Sequence, residues 1–108
     1  MEKLVRLAKI FSDKNRLNIF ALILRDKKLC VCEICDTLNL SQPLVSRHLK
    51  MMKEAQILQA TQEGKWMLYA LTKDIDAALK CWIDETKKHL STLPNLVTCN
   101  FTHPKKRI

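Results

Sequence analysis

The sequence predicts a mainly α domain carrying one β-hairpin, an α+β fold built as a single unit. Three observations predict it. Apolar residues recur at helical spacing over most of the chain. The only glycine, Gly64, separates two stretches able to pair as strands, ILQATQ and KWMLYAL. A chain of 108 residues, 47% of them hydrophobic, buries one modest core and not two.

The elements follow in order. Leu4, Leu7, Ala8 and Phe11 recur at helical spacing in a first short helix. Ser12 or Asp13 caps a second, whose face carries Leu17, Phe20, Ile23 and Leu24. The stretch KLCVCEIC then leads into a short helix ending near Leu38. After a turn at Asn39-Leu40, Ser41 is the N-cap of the next helix, with Pro43 in its first turn, where a missing N–H costs nothing. Gly64 marks a hairpin tip needing positive φ, and beyond it Met67, Tyr69 and Leu71 alternate with Trp66, Leu68 and Ala70. Ile75, Leu79, Trp82, Ile83, Leu90 and Leu93 form one stripe along a last helix, Ile75–Leu93, that stops before Pro94. That stripe needs a partner, either the domain itself or a second copy. The expected division is a folded domain over 1–93 and a basic, loosely held tail over 94–108. Helix, helix, helix, turn, helix, hairpin, helix is the order of a winged helix-turn-helix.

Charge points to the partner. Nineteen Lys and Arg against 11 Asp and Glu give +8, an excess that favours a polyanion such as nucleic acid. No apolar run approaches the roughly 20 residues that span a bilayer, so no membrane association is expected and the cytoplasm is the default. Thiols are kept reduced there. Five cysteines, an odd number, therefore read as ligands or reactive groups before a disulfide framework.

Around the helix that starts at Gln42, at 100° per residue, Gln42, Ser46, Lys50 and Lys53 fall on one side with Arg47 and Glu54 at its margin. Leu44, Val45, Leu49, Met51, Met52 and Ala55 fall on the other. The polar arc suits a duplex. Arg47 or Lys50 reaches guanine, Gln42 pairs with adenine, and Ser41 and Ser46 bond base edges or phosphates. Lys65 at the hairpin tip adds a basic wing. His48 points into the apolar arc and is expected to be a hydrogen-bonded histidine beneath the helix.

Cys32 and Cys35, three apart, share a helix face, whereas Cys30 lies about 200° from Cys32 in an unbroken helix. Cys30 reaches the other sulfurs only from an extended segment ahead of the helix. The helix N-terminus and Lys27 and Lys28 are expected to lower the thiol pKa values. Three thiolates suit a soft, three-coordinate ion, since a structural zinc takes four ligands.

Together LCVCEIC, LSQPLVSRHLKMMKEAQIL and QEGKWMLYAL resemble the ArsR/SmtB family of metalloid- and metal-responsive repressors, over about Met1 to Leu93. LCVC is similar to its arsenic-responsive branch. The resemblance implies a homodimeric, non-enzymatic repressor on a palindromic double-stranded operator, needing no cofactor to bind DNA and released by As(III) or Sb(III). It implies Cys30, Cys32 and Cys35 as metalloid ligands, Ser41, Gln42, Ser46 and Arg47 as DNA-reading residues and Lys65 on the wing. It also places dimerisation on the two terminal helices. Lys28 departs from the pattern, standing where the branch usually has an acidic residue. The last helix has Asp74 and Asp76 but lacks the histidine partner of zinc-sensing members, so no zinc site is expected there. Cys81 reads as a surface thiol and Cys99, near His103, as a tail thiol. Two other readings stay open: a repressor of the same fold sensing oxidants or persulfide through a disulfide, and a C-x-x-C oxidoreductase at Cys32–Cys35, which needs a βαβ context this chain lacks.

Overall fold

The computed structural model describes residues 1–98, in the order α1 (Glu2–Phe11), α2 (Lys14–Asp26), β1 (Leu29–Cys30), α3 (Val31–Leu38), α4 (Gln42–Glu54), β2 (Leu58–Glu63), β3 (Trp66–Leu71), α5 (Ala77–Lys87) and a 3₁₀ turn at Leu90–Thr92. This is a winged helix-turn-helix: α3 and α4 joined by a tight turn, with β2–β3 as the wing.

Asp13 is the cap of α2, its carboxylate accepting the Arg16 N–H at 3.1 Å. Ile19 through Leu24 are all buried, so α2 runs through the centre of the domain instead of presenting one apolar stripe. Leu7, Ile10 and Phe11 of α1 pack into this core, and Phe11 meets Phe20 and Trp82 with ring centroids 4.6 Å apart in each pair.

Two helices depart from the expectation. In α1 the inward residues are Leu7, Ile10 and Phe11, while Leu4, Val5 and Ala8 face outward. The helix therefore carries two apolar faces, of which the domain covers one. The last helix is shorter than Ile75–Leu93 because Asp76 caps it, accepting from the Leu79 N–H at 2.9 Å, which leaves Ile75 outside and exposed. Its stripe finds a partner within the chain: Leu79 and Ile83 are buried in the common core.

The sheet has three antiparallel strands in the order β1-β3-β2. The hairpin closes at Glu63 opposite Trp66, with Gly64 at φ 62° taking the left-handed position only glycine occupies freely. The extended segment ahead of the helix is there as the sequence allowed, but its pairing with the wing was not expected. Leu29 and Cys30 pair with Tyr69 and Leu68, so the cysteine segment is an edge of the wing's own sheet.

Beyond the 3₁₀ turn, Arg25 donates to the Pro94 carbonyl at 2.8 Å, the Val97 N–H donates to Thr37 Oγ1 at 2.9 Å, and Leu96 packs on the core. The start of the tail is held against α2 and α3 and not loose. Cys99 and His103 lie outside the described residues.

Candidate functional site

The first site is the outer face of α4. Ser41 caps it by accepting the Leu44 N–H at 3.4 Å, and Pro43 fits the first turn. Val45, Leu49 and Met52 are fully buried on the inner side. Ser41, Gln42, Ser46, Arg47 and Lys50 are all exposed on the outer side, and Lys65 is exposed at the tip of the hairpin. The apolar arc anchors the helix and leaves a cationic, hydrogen-bonding arc exposed, with donors and acceptors of the kind that match base edges and phosphates. One apolar residue differs from expectation: Met51 is exposed and lines a groove with Val5 and Ile10 of α1. His48 is buried beneath the helix and bonded to Arg16, the role expected of it.

The second site lies at the start of α3. Cys30 is its N-cap, in extended conformation at φ −91° and ψ 167°. The Cys30 side chain accepts the Glu33 N–H, while the Glu33 carboxylate accepts the Cys30 N–H at 3.2 Å, a reciprocal capping box. Glu33 is buried by this role and is not a spare oxygen ligand. Cys32 and Cys35 follow on α3, both partly buried. Together with Cys30 they line a cleft of about 470 Å³, which Leu40, Gln42, Trp66 and Met67 also line. The cleft thus touches the cysteine helix, the first residue of α4 and the wing strand at once.

The thiols are not in the expected electrostatic state. Burial pushes the Cys30 thiol above its ordinary pKa; the Glu33 N–H that its sulfur accepts works against this, and the Glu33 carboxylate adds to it. Burial, then the charge of Asp36, pushes Cys35 up as well. The expected lowering by the helix N-terminus and lysines fails, because both sulfurs lie under β3 and α3 side chains and Lys28 is bonded to Glu63 at 3.2 Å. Cys30 and Cys35 carry thiols, whereas Cys32 is disulfide-bonded, so capture through its sulfur requires reduction first. Among the described residues no three His, Cys, Asp or Glu side chains are already gathered around an ion position. The cleft fits a soft ion in its donor set, and convergence of its sulfurs requires the first turn of α3 to move.

At the two ends of α5, Asp76 caps the helix and pairs with Lys3, and His89, just past its C-terminus, meets Glu85 at 3.4 Å. Cys81 is an exposed free thiol. Sequence reasoning missed the roles of four residues, Glu33, Trp66, Met67 and Arg16. The Cys30-x-x-Glu33 spacing could have revealed the capping box, but Trp66 and Met67 reach the cysteines only through strand pairing, and Arg16 reaches α4 only through helix packing.

Residues 13–60 match the model of the bacterial regulatory protein, arsR family. The chain is 36% identical to the Escherichia coli "arsenical resistance operon repressor", the match covering 96% of this chain and 93% of that one. The chain belongs to the arsR family. It is 40% identical over 77% of its length, and 68% of the relative's, to the "arsenic resistance transcriptional regulator ArsR1" of Pseudomonas putida. Among solved structures it is similar to HlyU of Vibrio cholerae, with TM-score 0.70 and 27% identity over 82% of this chain and 91% of that one. The PagR repressor of Bacillus anthracis is similar at TM-score 0.65 and 26% identity, over 78% and 92% of the two chains. As an arsR-family member the chain is a DNA-binding transcriptional regulator, a class that is not enzymatic. Among the described residues no helix is long and apolar enough to cross a membrane.

Proposed function

We propose that this arsR-family regulator is a cytoplasmic repressor that binds a palindromic operator as a homodimer and is released when arsenite or antimonite is captured by Cys30, Cys32 and Cys35. The observation that carries the reading is the shared cleft, in which the three cysteines face Gln42 of the recognition helix and Trp66 of the wing. Relatives named for arsenic resistance support the inducer.

The chemistry balances at neutral pH without thiolates. Once a dithiol reductant has returned Cys32 to a thiol, one arsenous acid forms three As–S bonds while its three hydroxyls leave as water, taking up the three S–H protons. Protonated thiols suit this condensation. Closing three sulfurs on one atom pulls Cys30, which caps α3, toward Cys32 and Cys35. Two backbone connections carry that movement outward. The Cys35 carbonyl accepts the N–H groups of Asn39 and Leu40, the turn from which α4 starts. Cys30 is paired with Leu68 of the wing. Both DNA-contacting elements are thereby tied to the sensing segment.

In the dimer, two α4 helices reach major grooves about one turn, roughly 34 Å, apart. Arsenite lowers operator affinity by a coupling free energy of about 1–3 kcal/mol. The test is a titration of the reduced, operator-bound chain with arsenite, followed by fluorescence anisotropy beside zinc and peroxide controls. Stoichiometric arsenite releases the wild type. Cys32→Ser binds operator but is not released, and Arg47→Ala loses operator affinity yet still takes up arsenite. Release by peroxide alone, reversed by dithiol, would instead mark a redox sensor. Loss of DNA binding by Cys32→Ser without inducer would make that sulfur structural.

A further inference from the structure

One guanidinium joins three helices behind the DNA-reading face. Arg16, in the first turn of α2, donates through Nε to the Ile10 carbonyl at 2.8 Å and through Nη2 to the Lys9 carbonyl at 3.2 Å. These are two of the last carbonyls of α1, which no intrahelical N–H satisfies. Its Nη1 turns the other way, onto α4: His48 Nδ1 lies at 3.3 Å and Met51 Sδ at 3.7 Å. Asp13 Oδ2 stands 3.9 Å from the same nitrogen. The Arg16 side chain is only 14% exposed, so the five-donor fork is committed to these partners.

We propose that Arg16 and His48 form a clamp that fixes the recognition helix relative to α1, making them positioning residues for operator binding. The inference rests on the repressor reading above. The outward face of α1 is where that reading seats the second copy, so the angle between α1 and α4 sets the spacing of the two recognition helices. The guanidinium has no acceptor, so His48 Nδ1 accepts and its proton resides on Nε2. Among the described residues Nε2 has no partner, and the imidazole sits within the fold with its one bond to Arg16.

Protonation of Nδ1 destroys that bond and sets two cations face to face. The groups facing His48 are Asp13 and Arg16 from α2 and Arg47 from its own helix, while Lys9 of α1 is exposed and contributes its carbonyl through Arg16. Burial, first, and then the two arginines hold the His48 pKa below its ordinary value, against the opposing charge of Asp13. His48 is therefore neutral at pH 7.5, and the clamp opens only as pH falls through that lowered value.

The probe is a duplex selected from a randomised pool by the wild-type chain. Affinity is followed from pH 7.5 downward, as far as circular dichroism shows the fold intact, for the wild type, Arg16→Lys and His48→Asn, with arsenite uptake as a control. A lysine ammonium cannot hold both α1 carbonyls and His48, so Arg16→Lys loses about tenfold in affinity or more at pH 7.5 while its arsenite uptake is unchanged. The asparagine amide oxygen stands where Nδ1 was and does not titrate. His48→Asn keeps wild-type affinity at pH 7.5 within about twofold and lacks the further fall that the wild type suffers as pH drops through the lowered His48 value. A folded Arg16→Lys chain with wild-type affinity overturns the clamp, as do identical pH profiles for the wild type and His48→Asn. Should Arg16→Lys fail to fold, the two pH profiles decide. Failure of the wild type to select any duplex would overturn the repressor reading instead.

Discussion

At the scale of single residues, Cys30 occupies a position that helix physics would give to something else. It is the N-cap of α3 and accepts the Glu33 N–H through sulfur, a weak acceptor, where serine or aspartate would serve the helix better. A residue that is second-best for local structure at a buried cap is kept for its chemistry. Cys30→Ser is therefore expected to leave the thermal midpoint unchanged or slightly higher while arsenite uptake collapses. A midpoint lower by several degrees would make the sulfur a packing group. The pH dependence gives a second test. Because burial raises the Cys30 and Cys35 thiols, both are protonated near neutrality, and condensation with arsenous acid exchanges S–H for water with no net proton. Arsenite affinity is expected to be flat between about pH 6 and 8, while Cd(II), which must expel a proton for each sulfur, binds more tightly as pH rises. An arsenite affinity that follows the cadmium slope would contradict protonated thiols. The cysteine cluster and the polar arc of α4 were legible in the sequence because spacing alone defines them. The state of the thiols was not, because it depends on Leu68 and Glu33 closing over Cys30, which only the fold brings about.

At the scale of elements, the turn between α3 and α4 is the narrowest link in the account. Asn39 holds a left-handed conformation at φ 57°, and its N–H and that of Leu40 both reach the Cys35 carbonyl. Asn39→Gly is expected to be tolerated in this conformation. Asn39→Val should cost about 1–2 kcal/mol in stability, read from chemical denaturation, and should also weaken operator binding because the entry angle of α4 changes. Equal stability of the two variants would show that the left-handed turn is not a constraint. Helix caps made most elements readable: Asp13 and Ser41 announce α2 and α4, and Gly64 announces the hairpin. The extended segment at Cys30 was readable but its pairing with β3 was not, because two residues show no alternation. Helix α5 was overestimated because its apolar stripe continues past its ends, to Ile75 before the cap and to Leu90 in the 3₁₀ turn.

At the scale of the whole molecule, the domain covers only one of the two apolar faces of α1. Leu4 and Val5 are 55% and 50% exposed beside the groove at Met51. In the proposed dimer a second copy covers them, and burying such side chains contributes about 1.5–3 kcal/mol each when complete. Leu4→Lys combined with Val5→Glu should leave the monomer folded, abolish the dimer in sedimentation equilibrium and reduce operator affinity sharply. A dimer of unchanged stability would place the interface elsewhere. The outward face of α1 was hidden in the sequence because one helical stripe and two are hard to distinguish over ten residues until the core claims its share.

The coupling itself is the claim on which the rest depends, and it is reciprocal by thermodynamic necessity. The direct measurement is the arsenite affinity of the reduced chain, free and saturated with operator duplex, alongside the operator affinity with and without arsenite. The account predicts that operator weakens arsenite binding by the same factor, about 5–150-fold, by which arsenite weakens operator binding. Equal arsenite affinity in the two states would mean that sulfur capture at the start of α3 does not move the helix that reads DNA.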